Sequence, residues 1–202
     1  VFVFLYRDPK AVISSMIDAW TSGRFVTYRE LPGWGTAPWS LLLPPGWKNW
    51  RGMTYGEVAA RQWCSTMTTL LDGLEQLDPT RWMVVRHEEL LDDHNGTATR
   101  LCERLGFEWD RPVLGALPEA AHTLDTPAPD KWKRNRDALD AVWHLVEPVA
   151  ARAEAVFANP PVGPSLEKGA APKVAPVAKD GDAAFSNKFA LLTKPPKAKE
   201  PK

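Results

Sequence analysis

Arg7 and Ser15 stand eight residues apart across a junction whose residue types can hold an anion. The stretch Val3-Phe4-Leu5-Tyr6-Arg7-Asp8-Pro9-Lys10-Ala11-Val12-Ile13-Ser14-Ser15-Met16 passes from an apolar run into a helical pattern. A strand that ends at Arg7 delivers a guanidinium to the carboxyl edge of a sheet, where ligands bind in open α/β folds. Asp8 is a good N-cap and Pro9 suits the first helical position. The helix they open offers free N–H groups and the positive end of its dipole. Asp8, Ala11 and Ser15 share a helix face, which turns the Ser15 hydroxyl back toward the strand end. Ser14 fits that offset less well. A guanidinium and a hydroxyl converging beside a helix N-terminus suit a phosphate.

Other polar groups are weaker candidates. His87 follows a second apolar run, Trp82 to Arg86, and can serve as a ligand contact or as a satisfied structural histidine. Lys131, Lys133 and Arg134 form a short basic patch around Trp132, a pattern more common on a solvated face than in a site. Glu88 and Glu89 open a helix, where carboxylates favour the dipole, and are not read as an acid and base pair. His94, His122 and His144 are scattered and match no base or metal spacing. Cys64 and Cys102 fall on apolar helical positions and read as reduced core residues.

The elements that must position these groups follow from periodicity. Val1 to Tyr6 reads as a buried strand, followed by a helix to about Trp20 with Val12, Met16 and Trp20 on one stripe. Residues 22–52 hold five Gly, four Pro and four of the ten Trp (Trp34, Trp39, Trp47 and Trp50). They read as a long ordered loop with short helical pieces, a lid or binding loop whose Trp faces could meet an acceptor or pack the loop down. A helix from Tyr55 to Gln76 carries Trp63, Met67, Leu70, Leu71, Leu74 and Leu77 inward. Trp82 to Arg86 is the second strand. Glu88 to Leu91 begins a helical turn, and Thr97 to Leu105 is a helix closed by Gly106. The last helical region, Asp130 to Phe157, contains Pro148, which should kink or break it. Strands alternating with helices imply an α/β fold with a parallel sheet. Two strands are too few for a stable doubly wound sheet.

At this point the residues resemble a known family, the sulfotransferases that use 3′-phosphoadenosine-5′-phosphosulfate (PAPS). Arg7-Asp8-Pro9 after a strand, with Ser15 eight positions beyond Arg7, is similar to the family's 3′-phosphate motif, which implies that Arg7 and Ser15 hold that phosphate. Trp82-Met83-Val84-Val85-Arg86-His87-Glu88-Glu89-Leu90 resembles the family's strand ending in Arg-Tyr-Glu-Asp-Leu. His87 takes the slot of the Tyr that lies near the adenine. Leu105-Gly106 resembles its Phe-Leu-Gly close. Lys131-Trp132-Lys133-Arg134-Asn135 resembles a Lys-Trp-Arg element of bacterial members, which implies that Lys133 and Arg134 reach the nucleotide phosphates.

The resemblance covers about residues 1–158. It implies a P-loop-like three-layer α/β fold and transfer of a sulfuryl group from PAPS, as co-substrate, to a hydroxyl or amine of a small-molecule, glycan or lipid acceptor, with no metal required. The family's phosphosulfate loop and catalytic His or Glu precede its first such strand and do not occur here. The expectation is therefore a domain truncated at its N-terminus, inactive alone, with its catalytic residues unknown. Two alternatives stay open: a P-loop kinase or nucleoside-triphosphatase fragment, where strand-Arg-Asp-Pro-helix also occurs, and a non-catalytic interaction module.

Composition sets the outer bounds. The 202 residues are 44% apolar, enough for one sizeable core, and the formal net charge is zero. From Pro160 onward there are eight Lys against four acids, so the preceding body is mildly acidic. That argues against a nucleic-acid surface and requires any anion to be held locally. Residues 159–202, rich in Pro, Ala and Lys, read as a disordered tail. The opening apolar run is too short to span a membrane and no signal peptide is visible, so a cytoplasmic location is expected.

Overall fold

The computed structural model describes residues 1–158 apart from 111, 116, 118–123, 125–127 and 129. The expected tail, His122 and much of the stretch 111–129 lie outside the described residues. β1 (Phe2–Tyr6) and β4 (Trp82–Arg86) pair in parallel, with Phe2 opposite Trp82 and Tyr6 opposite Arg86. Between them the chain forms α1 (Pro9–Ser22), a small antiparallel pair β2 (Val26–Tyr28) and β3 (Trp39–Ser40), a 3-10 turn at Trp47–Trp50, and α2 (Tyr55–Glu75). After β4 come α3 (His87–Asp92), α4 (His94–Leu105), a 3-10 segment at Lys131–Asn135, and α5 (Arg136–Ala158). The architecture is mixed α/β, with a parallel sheet of two strands and a majority of helix.

Local chemistry explains the element ends. The Asp8 carboxylate accepts from the Ala11 N–H at 2.9 Å, and Pro9 opens α1. Thr54 and Glu57 form a reciprocal capping box on α2, two N–H groups satisfied by two side chains. α1 and α4 both close on a left-handed glycine, Gly23 at φ 63° and Gly106 at φ 73°. α4 starts earlier than its apolar pattern suggests, because Asp93 caps it through the Gly96 N–H at 2.8 Å. Only Thr97 of α4 is fully buried; Ala98, Leu101, Cys102 and Leu105 are half-buried.

α2 and α5 pack along their length and make most of the core. Val58, Ala59, Trp63, Met67 and Leu71 of α2 are buried, as are Leu139, Val142, Val146, Ala150, Ala153 and Phe157 of α5. α5 runs unbroken through Pro148. The ring costs a hydrogen bond to His144, but both residues are exposed, and water can serve the freed carbonyl while the buried stripe holds both halves in line.

β1 departs from expectation. Phe4 and Tyr6 pack on Phe157 of α5, with ring centroids 5.3 and 4.9 Å away. Val3 and Leu5, on the opposite face, are exposed. Strands of parallel sheets are ordinarily covered on both faces; here α5 covers one.

The four loop tryptophans resolve the question of what residues 22–52 do with them. Trp39 is fully buried, Trp34 and Trp50 are each 8% exposed, and Trp47 is half-buried. They cluster around Trp39, with Trp34 at 4.7 Å, Trp20 of α1 at 5.2 Å, Trp47 at 5.8 Å and Trp50 at 6.2 Å. Their faces are largely spent on one another, and they pack the loop onto the domain. Gln62, buried on α2, ties the cluster down. It accepts from Trp20 Nε1 at 2.8 Å and donates to the carbonyls of Ser40 and Leu42 at 3.0 and 2.6 Å. Replacing Gln62 by Ala strands the Trp20 indole N–H and the Ser40 carbonyl, while the Leu42 carbonyl keeps its bond from Trp39 Nε1 at 2.9 Å. At about 1–3 kcal/mol for each unsatisfied group, with partial relaxation, Gln62→Ala should cost about 2–4 kcal/mol in urea unfolding at unchanged m-value.

Candidate functional site

The parallel register brings two distant segments together. With Tyr6 opposite Arg86, the residues that follow each strand become neighbours. The Asp8 N–H donates to Glu88 Oε1 at 3.3 Å across this edge. Beside it lies a cleft of about 410 Å³, lined by Arg7, Asp8 and Ala11 from the first segment, His87, Glu88 and Asp92 from the second, and Trp132. Arg7 and His87, eighty residues apart in sequence, therefore share one cleft at the N-terminus of α1. Three carboxylates line it too. Asp8 is engaged in capping and Glu88 accepts a backbone N–H. An anion here would be held by direct contact with Arg7 and not by the surrounding field.

The remaining residues singled out from sequence stand elsewhere. Ser15 is exposed, and its hydroxyl donates to the Ala11 carbonyl at 2.9 Å, one turn beyond the cleft wall. Ser14 is buried and accepts from Asn135 Nδ2 at 3.0 Å. Asn135 also reaches Asp18 Oδ1 at 2.9 Å, and Arg134 pairs with the other Asp18 oxygen. Lys133 pairs with Asp130 at 2.9 Å. The structure thus gives both cations to acids: Lys133 to Asp130 within its own segment, and Arg134 to Asp18, which fastens that segment to α1. The same segment supplies Trp132 to the cleft wall.

Two arrangements escaped the sequence reading. Arg86, at the end of β4, makes a two-pronged contact with Glu154 of α5, at 2.8 and 3.4 Å, and lies over the Tyr6 ring at 5.6 Å. The Tyr6 hydroxyl is buried and faces Glu154 without a hydrogen bond of normal geometry; burial, and then the carboxylate, push its pKa upward. The second arrangement is Lys10, whose Nζ lies 5.1 Å from the Trp132 ring and 4.8 Å from the Trp143 ring. Neither has a local signal, because each partner lies on a different element. Burial pushes the Cys64 thiol up to about 11, and it contacts the Leu145 carbonyl at 3.4 Å. Among the described residues no group of three or more His, Cys, Asp or Glu could hold a metal, and no helix is long and apolar enough to cross a membrane.

Comparison with known proteins gives the class. The model of the sulfotransferase family matches residues 1–111, which run from β1 through α4 and include Arg7, Ser15 and His87. The chain belongs to the sulfotransferase family. That makes it a transferase, with sulfuryl transfer as the general activity. Neither the curated proteins nor the solved structures supply a match.

The Arg86–Glu154 pair joins the end of β4 to α5, and its pH behaviour is testable. Arg86 holds the Glu154 carboxyl below its ordinary value of 4.5. The pair therefore stabilises the fold above about pH 4.5, and that contribution is lost as the carboxyl protonates at lower pH. Glu154 is largely exposed, so the contribution is screened to about 1 kcal/mol or less. Glu154→Gln should lower stability at pH 7 by that amount, and unfolding titrations of the two proteins should converge as the pH falls below about 4.5.

Proposed function

We propose that the sulfuryl donor is PAPS and that the Arg7 cleft takes its 3′-phosphate end. The observation that carries this is the convergence of Arg7 and His87 on one cleft beside the α1 N-terminus. Arg7 supplies the charge-assisted contact, and His87, from the opposite strand end, supplies an edge or face to the base. Ser15 joins only if its hydroxyl exchanges the Ala11 carbonyl for the ligand. Lys133 and Arg134 join only by exchanging Asp130 and Asp18 for phosphate. The volume, about 410 Å³, lies within the usual range of ligand clefts.

In the whole protein the acceptor oxygen or nitrogen forms a bond to sulfur as the bond from sulfur to the 5′-phosphate oxygen breaks, and the acceptor proton passes to a base. Such a displacement draws on positioning and charge stabilisation. None of the described residues is assigned as that base. The bare face of β1, with Val3 and Leu5 exposed, supports the reading of residues 1–158 as the C-terminal part of a larger domain.

Calorimetry on the full-length protein separates the donor reading from its rivals. Adenosine 3′,5′-bisphosphate should bind far more tightly than AMP. Arg7→Ala should remove most of that difference, since a charge-assisted contact is worth about 1.5–3 kcal/mol, roughly tenfold to hundredfold. Equal affinity for the two nucleotides would overturn the assignment of the 3′-phosphate, and with it the donor.

A further inference from the structure

A second cleft, of about 450 Å³, shares Asp8 and Trp132 with the Arg7 cleft. Its other walls come from Lys10 of α1 and from Trp143, Glu147 and Glu154 of α5. Two indole rings thus line one opening, with the Lys10 ammonium against both. These are not the tryptophans of the 22–52 loop, which are consumed in their own cluster.

We propose that this second cleft binds a neutral, polyhydroxylated ring, a hexose or a close analogue. The ligand class rests on the second cleft's own chemistry and not on the donor reading of the Arg7 cleft.

Charge narrows the ligand first. Indole faces attract cations, but Lys10 already holds both rings, and a second cation at those rings would be repelled by its ammonium. Anions meet the carboxylates of Asp8, Glu147 and Glu154. A neutral ligand avoids both penalties. The polar groups narrow it further. Glu154 gives its two oxygens to Arg86, and Asp8 gives Oδ1 to the Ala11 N–H. Glu147 is exposed and makes no ion pair among the described residues, so its carboxylate is available to accept from hydroxyls. Lys10 can donate to them. A sugar ring offers an apolar C–H face for an indole and a rim of hydroxyls for Glu147 and Lys10. Few other neutral ligands offer both. The shared wall of Asp8 and Trp132 sets one edge of such a ring beside the Arg7 cleft.

The test is saturation-transfer NMR on the full-length protein with methyl glucoside, methyl galactoside and methyl mannoside, beside tetramethylammonium and glucuronate. At least one neutral hexoside should bind. Glu147→Ala, a surface change that spares the fold, should weaken it about tenfold. Trp143→Ala should weaken it at least as much, with Trp143→Phe recovering part of the loss. Adenosine 3′,5′-bisphosphate affinity should stay within about twofold in Glu147→Ala, because Glu147 lines only the second cleft. Hexoside binding that resists both Glu147→Ala and Trp143→Ala, no hexoside binding at all, or preference for the cation or the anion, overturns the proposal. If hexosides bind as expected while bisphosphate and AMP bind equally, the cleft stands and the donor reading falls.

Discussion

The parallel pairing of β1 with β4 is the constraint on which the site depends. It sets Tyr6 against Arg86, and so brings Arg7 beside His87. A two-stranded sheet is not stable by itself in water. Here it leans on α5, through Phe157 against Phe4 and Tyr6 and through Glu154 against Arg86. α5 lies beyond the segment that matches the family. The residues that resemble a nucleotide site therefore owe their alignment to a helix outside the recognisable motif.

α1 is the other fixed point. Its first turn carries Asp8, Lys10 and Ala11, which divide between the two clefts. Its next turns carry Ser14 and Asp18, which hold Asn135 and Arg134. Trp132 is thereby fixed between Lys10 and the cleft. The Asp18 carboxylate is only 15% exposed, so its bonds to Asn135 and Arg134 are less screened than the surface pairs on α5. A basic segment that looks ready to meet phosphate is, in this conformation, a clamp.

The tryptophan cluster shows how a Gly- and Pro-rich connection can be core. Beyond the short pairing of β2 with β3, this connection must satisfy its backbone polar groups without a ladder. Gln62 does this for Ser40 and Leu42 from inside α2, and Trp39 fills the space between. The strain is local: Leu41, between those two carbonyls, has φ 63°, an αL geometry a leucine adopts only when its surroundings hold it there. Large rings with several partners at 4.7–6.2 Å supply that restraint.

Where local chemistry decides, the sequence was sufficient. Asp8-Pro9 starts α1, Gly106 ends α4, the apolar periods of α2 and α5 select their buried faces, and both parallel strands read out at nearly their true limits. The capping box Thr54 to Glu57 was also there to be read. The junction at Arg7 and its partner at His87 could be named because each is a strand end followed at once by a helix. What only the tertiary structure decided are pairings between elements. Arg86 with Glu154, Lys10 with Trp132 and Trp143, Arg134 with Asp18, and the burial of the loop tryptophans all join residues far apart in the chain. So does the fate of Pro148, which depends on the packing either side of it. A charged or aromatic side chain has many possible partners of similar chemistry, and spacing along one element carries no information about which of them the fold will bring within reach.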